Sequence, residues 1–362
     1  MRIAVDAREL CHRPTGVGRY LSELLAEWSR DPDADRHDWT LYAHTMPVVG
    51  TEWAARVRVL KGGGGTAWEQ WTLARALAAG AHDVVFAPGY TAPIATTVPT
   101  VLTVHDVSFF AHPEWFAFRE GARRRRITGW SARRAAAVIT DSEFSRDEIA
   151  FHIGLPKARV RVIPLGTRPT IAAGRPAPRE PLVLYVGSVF ERRRVDWLIQ
   201  SFDLVADRVP EARLEIVGEN RTSRPRMDLE ALRARLRHPD RLRLRSYVDE
   251  ATLGGLYARA SAFAFLSEYE GFGLTPLEAL AAGVPPLVLD TPVAREVCGP
   301  AACYVAAHAG QAALADAIVS CLTDADVRGR ILRHASGVLS RYDWARTATA
   351  TLAAIEEGAR GR

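Results

Sequence analysis

Two doubly wound α/β domains, each built on a parallel sheet, are the fold that this sequence predicts, on three observations. Its 362 residues exceed what one hydrophobic core usually supports. Short β-branched runs alternate with helical patterns from end to end, and near-continuous apolar strands between helices indicate parallel sheets covered on both faces. A segment with three prolines and no hydrophobic period, "RPTIAAGRPAPRE" at 168–180, separates the alternation into two series. With 48% apolar and 25% charged residues the chain has the composition to bury two cores.

The first series begins with "MRIAVDA" and continues with "DVVFAPG", "TVLTVHD", "AAVITDS" and "VRVIPLG". Helices are predicted over 17–30, 66–79, 118–135 and 143–152, where apolar residues recur at helical spacing. This places a first domain at 1–170 and a linker at 168–180. The second domain, 181–342, restarts with "PLVLYVGS", "RLEIVGE", "LRLRSYV", "SAFAFLS" and "VPPLVLD". Ligands of open α/β sheets bind beyond the carboxyl ends of the strands, so the expected active site is the cleft between the two sheets.

The opening residues carry no signal-peptide pattern and no stretch nears the apolar length of a membrane span, so a cytoplasmic protein is expected. The four cysteines, Cys11, Cys298, Cys303 and Cys321, have neither metal-ligand spacing nor the density of a disulfide scaffold. The formal charge of +5 is almost wholly arginine, because Lys61 and Lys157 are the only lysines. Such a balance fits nucleic acid, anionic lipid or a phosphorylated substrate, and equally a GC-rich coding bias. No nucleic-acid-binding module or base-stacking aromatic pattern is recognisable, so no nucleic-acid partner is expected. The histidines do not cluster with carboxylates. "DPDAD" at 31–35 imitates a D-x-D metal motif but follows a helix and reads as a polar loop.

The richest stretch is "EYEGFGLTPLEALAAG", 268–283, which follows the strand "SAFAFLS" and runs into a helix ending at Gly283. Placing Thr275 at the N-cap, Pro276 at N1 and Glu278 at N3 makes a capping box, which alone accounts for Glu278. Glu270 stands at a glycine-flanked turn just past a buried strand, where a ligand-facing side chain belongs. Gly271 and Gly273 permit close backbone approach, and a helix start offers free N–H groups to a phosphate.

These residues resemble the E-x7-E signature of glycosyltransferase family 4, a large configuration-retaining family with the GT-B fold of two Rossmann-like domains. Further segments are similar in the family's order: "MRIAVDARELCHRPTGVGRYLSELL", "VLTVHDVSFFAHPEWF", "AVITDSEFSRDEI", "VRVIPLGT" and "LYVGSVFERRRVDWLIQSF". "LEIVGE", "YVDEATLGGLYARASAFAFLS", "REVCGPAACYV" and "RYDWARTATATL" complete the match. The resemblance implies that a C-terminal helix, about 343–362, crosses back to complete the first, acceptor-binding domain. It also implies transfer of a hexose from a nucleoside diphosphate sugar, with no metal or other cofactor.

Residue by residue, the resemblance places Glu270 by the donor sugar and Glu278 on the ribose hydroxyls. Gly187, Gly271 and Phe272 belong to the donor site, the backbone of Gly273, Leu274 and Thr275 would hold the diphosphate, and Val248, beside Tyr247, would lie by the base. Arg192 and Arg193 stand where the family has an Arg-Lys pair and would neutralise the departing diphosphate, with no covalent nucleophile. A solvated helix start is the plain alternative for that run. Gly16 and Gly18 of "TGVGRY" would lie over the donor, or simply cap a helix; the pattern is not that of a dinucleotide site. His105 would orient the donor sugar or acceptor with Asp106 in support, and Ser142 reads as a helix cap and acceptor-site candidate. "HDVSFFAHPEWF" and "GYTAP" resemble mannosyltransferase members, which points to GDP-mannose and a glycan, glycolipid or lipid-linked acceptor. Seven arginines in 118–134, with Trp115, Phe116, Phe118 and Trp130, read as an exposed helix or as a peripheral contact of 115–134 with anionic membrane.

Overall fold

The computed structural model describes residues 1–11, 16–168, 178–223 and 225–361. The chain divides into two compact units, Met1–Gly166 with Tyr342–Arg362, and Thr167–Arg341. Most of the segment read as a linker, 169–177, lies outside the described residues. Its last residues do not behave as a linker. Arg179 donates to the carbonyls of Tyr257, Ala260, Ala282 and Gly283, tying down the ends of two helices of the second unit.

The first unit holds a seven-stranded, wholly parallel sheet. Its strands are β1 (Arg2–Asp6), β2 (Asp38–Ala43), β3 (Val57–Val59), β4 (Val84–Ala87), β5 (Thr100–Thr103), β6 (Ala137–Thr140) and β7 (Val160–Val162). Their spatial order is β3-β2-β1-β4-β5-β6-β7. Ile3 therefore pairs with Trp39 on one side and Val84 on the other. The middle strands are buried on both faces, which is why they read as continuous apolar runs.

β2 and β3 escaped the sequence reading. β3 has only three residues, and β2 begins on an exposed Asp38. The "DPDAD" segment before β2 is a turn of helix, Pro32–Asp35, capped by Asp31, rather than a loop. The helical region 65–79 contains a π-helical stretch, Trp68–Leu73, which carries Glu69 inward to full burial.

The closing helix, Trp344–Arg360, belongs to this unit. Its N-cap Asp343 accepts from the Arg346 N–H, and its inner face packs on β4, β5, β6 and the helix Gly16–Trp28. Trp28 Nε1 donates to the Ala348 carbonyl at 3.0 Å, and Thr347 Oγ1 donates to the Pro164 carbonyl at 2.7 Å. A Cβ on Gly166 would meet the Trp344 nitrogen at 2.3 Å, so only glycine admits this contact.

The second unit repeats the architecture with β8 (Leu182–Val186), β9 (Arg213–Val217), β10 (Leu242–Arg245), β11 (Ala262–Phe265), β12 (Pro286–Leu289) and β13 (Cys303–Val305). They form a six-stranded parallel sheet in the order β10-β9-β8-β11-β12-β13. All carboxyl ends of a parallel sheet emerge on one edge, and every expected donor-binding residue of this unit follows such an end. No described helix is long and apolar enough to cross a membrane.

Candidate active site

In the second unit β8 ends at Val186 and the chain turns at Gly187, whose φ of +141° suits glycine. A Cβ on Gly187 would lie 2.8 Å from Arg193 Nη1, and one on Gly218, after β9, would lie 1.8 Å from the Gly187 carbonyl oxygen. Two bare backbones thus touch at neighbouring strand ends. A single 3-10 turn, Glu191–Arg193, follows, and Arg194 enters the helix Val195–Arg208 with a strained φ of +45°. The turn is stitched to the end of β11, because the Glu268 N–H bonds the Arg192 carbonyl at 2.8 Å and Glu268 pairs with Arg194.

That stitching sets two arginines beside Glu270. Arg193 Nε donates to Glu270 Oε1 at 2.8 Å, its Nη1 donates to the Ser188 carbonyl at 3.0 Å, and its guanidinium lies over the Phe265 ring at 4.9 Å. Ser267 Oγ donates to the same Glu270 oxygen at 2.8 Å. Burial, the largest single influence, opposes ionisation of Glu270. Arg193, Arg192 and the hydrogen bonds together outweigh it and hold the carboxyl below its usual range. Arg192 lies over Phe190 at 4.6 Å, and its Nε is buried with no hydrogen-bond partner among the described residues. A buried donor left unsatisfied in the protein points to a ligand that satisfies it.

The next helix, Leu274–Ala281, corrects the capping box. Gly273, left-handed at φ +99°, is the N-cap, so Thr275 is the second helical residue, Pro276 the third and Glu278 the fifth. Glycine takes the cap because the chain must turn sharply after buried Phe272, which a β-branched residue resists. No side chain caps this start, and Thr275 Oγ1 is buried without a hydrogen-bond partner among the described residues. The first amides of this helix therefore have no side-chain cap. Glu278, 3% exposed, is the fifth helical residue and so does not hold the N3 position of a capping box. Gly283 ends the helix as read, at φ +70°.

Beyond β9 and β10 lies a cavity of about 520 Å³, lined by Ile216, Gly218, Asn220, Met227, Leu244 and Ser246 among others. It has the size of a small-molecule site. Tyr247 and Val248 follow directly, Tyr247 exposed and Val248 half-buried.

In the first unit Gly16 and Gly18 are the first and third residues of the helix Gly16–Trp28 rather than part of a loop, and 12–15 lie outside the described residues. His105, just past β5, is bonded by Asp141, while Asp106 acts on it through its charge alone. Its Nδ1 lies 2.7 Å from Asp141 Oδ2 and its Nε2 3.0 Å from the Pro88 carbonyl. Burial alone would favour the neutral ring, yet Asp141 raises its pKa, and a doubly protonated ring satisfies both contacts. With both nitrogens engaged, His105 fixes the loop after β4 instead of reaching outward. Asp106 accepts from the Tyr90 hydroxyl at 2.8 Å and from the Ser108 N–H at 2.8 Å. Ser142 is a buried N-cap bonded to the Ser145 N–H, which accounts for it without an acceptor. Asp6, the last residue of β1, shares Arg8 with Glu69; burial above all pushes its carboxyl up to about 6, against the pull of Arg8.

Sequence reasoning missed Asp141, Tyr90 and the Arg8–Glu69 pair. His105 and Asp141 are 36 positions apart, and Arg8 and Glu69 are 61 apart, so no local spacing announces either pair.

Comparison with known proteins accords with this geometry. Residues 14–170 match the family described as Glycosyltransferase Family 4, and residues 168–336 match Glycosyl transferases group 1. A glycogen synthase of Mycobacterium tuberculosis is 30% identical over 75% of this chain; the chain spans 66% of that protein, just under two thirds. An O-antigen chain mannosyltransferase B of Escherichia coli is 27% identical over 71% of this chain and 70% of its own length. Among solved structures, WaaG, described as a glycosyltransferase involved in lipopolysaccharide biosynthesis, superposes with a TM-score of 0.76 over 98% of this chain and 99% of its own, at 17% identity.

Proposed function

This chain belongs to the family 4 glycosyltransferases, and from that premise we propose that it moves a hexose from a nucleoside diphosphate sugar to a hydroxyl of a glycan, glycolipid or lipid-linked acceptor, with retention of configuration. The observation that carries this reading is the Arg193–Glu270 pair, with the unsatisfied Nε of Arg192 close by, beside an uncapped helix start. Departure of a nucleoside diphosphate develops negative charge. Fixed cations and backbone amides that await that charge lower the barrier without reorganising. In this reading Glu270 meets the sugar hydroxyls, Glu278 the ribose, and the 520 Å³ cavity the base. Gly187, with no side chain, lets the diphosphate approach Arg193. GDP-mannose is the donor we place first, on the resemblance of "GYTAP" and "HDVSFFAHPEWF" and on the mannosyltransferase name of one relative.

A thermal-shift screen of nucleotide sugars tests the reading, because a ligand bound only by the folded state raises its melting temperature. GDP-mannose is expected to give the largest shift. A larger shift with a UDP-sugar would replace the donor, and no shift with any nucleotide sugar would sink the assignment.

We also propose peripheral membrane contact through the helix Phe118–Arg134. Phe118 is 82% exposed and Trp130 46%, with the Arg126 guanidinium over the Trp130 ring. Arg119, Arg123 and Arg126 line the same surface groove, of about 410 Å³. Exposed Trp71 and Phe151 lie in the same unit. Aromatic rings seat at the headgroup level while each arginine gains roughly 1 kcal/mol near an anionic surface. The protein is expected to float with vesicles containing phosphatidylglycerol and not with phosphatidylcholine alone. Flotation with neither would remove this part of the proposal.

A further inference from the structure

Two thiols meet behind the edge of the second sheet, on elements that supply no group to the donor site. β13 is the edge strand there, and successive side chains of a strand face opposite sides. Tyr304 faces the helix Pro292–Cys298, where its hydroxyl lies within hydrogen-bonding distance of the Ala294 and Gly299 carbonyls. Cys303 and Val305 therefore face the other side, against the helix Gln311–Thr323.

That helix follows β13 through the short connection 306–310 and runs back along it. Its last turn stands beside the first residue of the strand. Leu314, Ile318, Cys321 and Leu322 recur at helical spacing and are buried, so Cys321 belongs to the stripe that packs on the sheet. The two sulfurs are in hydrogen-bond contact, the Cys321 thiol donating to Cys303. Cys303 is partly exposed, whereas Cys321 is fully buried. The cysteine count excludes a disulfide scaffold, but a transient redox pair needs only two thiols in contact, one of them accessible.

The two sulfurs differ in the way such a pair requires. The hydrogen bond from Cys321 holds the Cys303 thiol below its usual range, against the effect of burial. The same bond, with burial, pushes the Cys321 thiol up, so the proton of the pair rests on the inner sulfur. Arg328 donates to the Cys321 and Leu322 carbonyls at 3.2 and 2.9 Å, and its charge favours ionisation of Cys321 when that sulfur must react. Cys298 is different: burial pushes its thiol up to about 12. Cys11 lies in the other unit.

We propose that Cys303 and Cys321 are a reversible oxidation site, converted by hydroperoxides to an intramolecular disulfide. The Cys303 thiolate attacks one oxygen of hydrogen peroxide and breaks the O–O bond. This leaves a sulfenic acid and a hydroxide, which takes up the proton lost by Cys303 and departs as water. The Cys321 sulfur then attacks the Cys303 sulfur, and the displaced hydroxyl leaves with the Cys321 proton as a second water. Two thiols lose two electrons and two protons, and one peroxide becomes two waters. The bridge closes a strand, loop and helix whose loop carries the Ala307 carbonyl, to which Arg194 donates. Gln311, the first residue of that helix, donates to Gln200 at 2.8 Å. Oxidation thus staples the packing partner of the helix Val195–Arg208 while leaving the 192–193 turn untouched.

The test uses the full chain and no substrate, so its outcome is independent of the glycosyltransferase reading. Reduced protein is treated with hydrogen peroxide, the remaining thiols are alkylated after denaturation, and non-reduced peptides are mapped by mass spectrometry. The expected product is a Cys303–Cys321 cross-linked peptide, two hydrogens lighter than the reduced pair and restored by dithiothreitol. The bridged protein is expected to melt higher than the reduced one, since the bridge restricts the unfolded chain. Cys321→Ala removes the resolving thiol, and Cys303 is then expected to proceed to sulfinic acid. Should that variant not fold, the wild-type map decides alone. Four alkylated cysteines after peroxide overturn the inference, as does wild-type Cys303 recovered as sulfinic acid without a bridge. A cross-link found only to Cys11 or between chains also overturns it, and a bridged form that melts no higher removes the stapling role.

Discussion

Arg193→Met is expected to lower melting stability by about 3 kcal/mol and turnover by a factor on the order of 10²–10³. The first effect follows from what Arg193 leaves behind. Glu270 is held in a largely buried site by one guanidinium and one serine hydroxyl on the same oxygen. Removing the cation strands a carboxylate. The figure is the lower end of the range for breaking a buried pair, since the two side chains keep 14% and 16% exposure. In the intact protein Glu270 titrates below 4.5, so its contribution to stability is present above that pH and is lost as pH falls through the depressed value. In Arg193→Met, burial loses its main counterweight and the pKa of the carboxyl rises. Ionised Glu270 then destabilises the fold at neutral pH, and protonation relieves it. The melting-temperature gap between wild type and variant is therefore expected to narrow as pH falls from 7 towards 4. A gap that stays constant with pH would mean that charge pairing is not what Arg193 contributes. The double variant Arg193→Met/Glu270→Gln is expected to recover most of the stability and none of the turnover, which separates folding from chemistry.

How much of this was legible in the sequence depends on the range of the interaction. β8, β11 and β12 announce themselves because burial on both faces demands an unbroken apolar run. β3 and β13 are three-residue edge strands with no longer apolar run around them, whereas β7, equally short, is readable because apolar residues follow it in "VRVIPLG". The stretch 268–283 was recognisable as a strand, turn and helix, yet its cap was misassigned. Thr-Pro is a good local cap signal, but the turn after Phe272 needed the positive φ that Gly273 supplies, and that moved the helix start forward. Arg192, Arg193 and Glu270 could be grouped only through a family resemblance, since they lie 77 positions apart and meet through strand-end stitching. The first unit was the least readable. Asp141 looks like an ordinary residue at the end of a strand until the sheet brings β5 and β6 side by side and sets it against His105. Tyr90, left-handed at φ +59°, carries no sequence signal, because its turn is held by partners just past β1, in the 65–79 helix, and at and just past the end of β5.

Arg192→Ala is expected to behave differently from its neighbour, losing turnover by about 10²-fold or more with little change in melting temperature. Arg193 is tied to Glu270, Ser188 and two aromatic rings, whereas Arg192 has no ion pair among the described residues and rests on Phe190 alone. Its buried, unsatisfied Nε is a standing cost in the unliganded protein, so removing the side chain withdraws that cost along with the ring contact. The loss should fall on the chemical step. A bound nucleoside diphosphate sugar already carries diphosphate charge, and bond cleavage adds one more negative charge to the leaving group. A cation placed for the leaving group is therefore worth more after cleavage begins than before, and kcat should fall further than donor affinity weakens. Arg192→Lys supplies charge without the planar fork and is expected to recover part of kcat but not all of it. Equal losses in kcat and donor affinity would make Arg192 a ground-state binding residue, and turnover within twofold of wild type would take it out of the site. The strained φ of Arg194 fits the same division of labour. Its left-handed backbone turns the chain from the 3-10 turn into the following helix while its side chain pairs with Glu268, so that of these three arginines only Arg192 has no ion pair among the described residues.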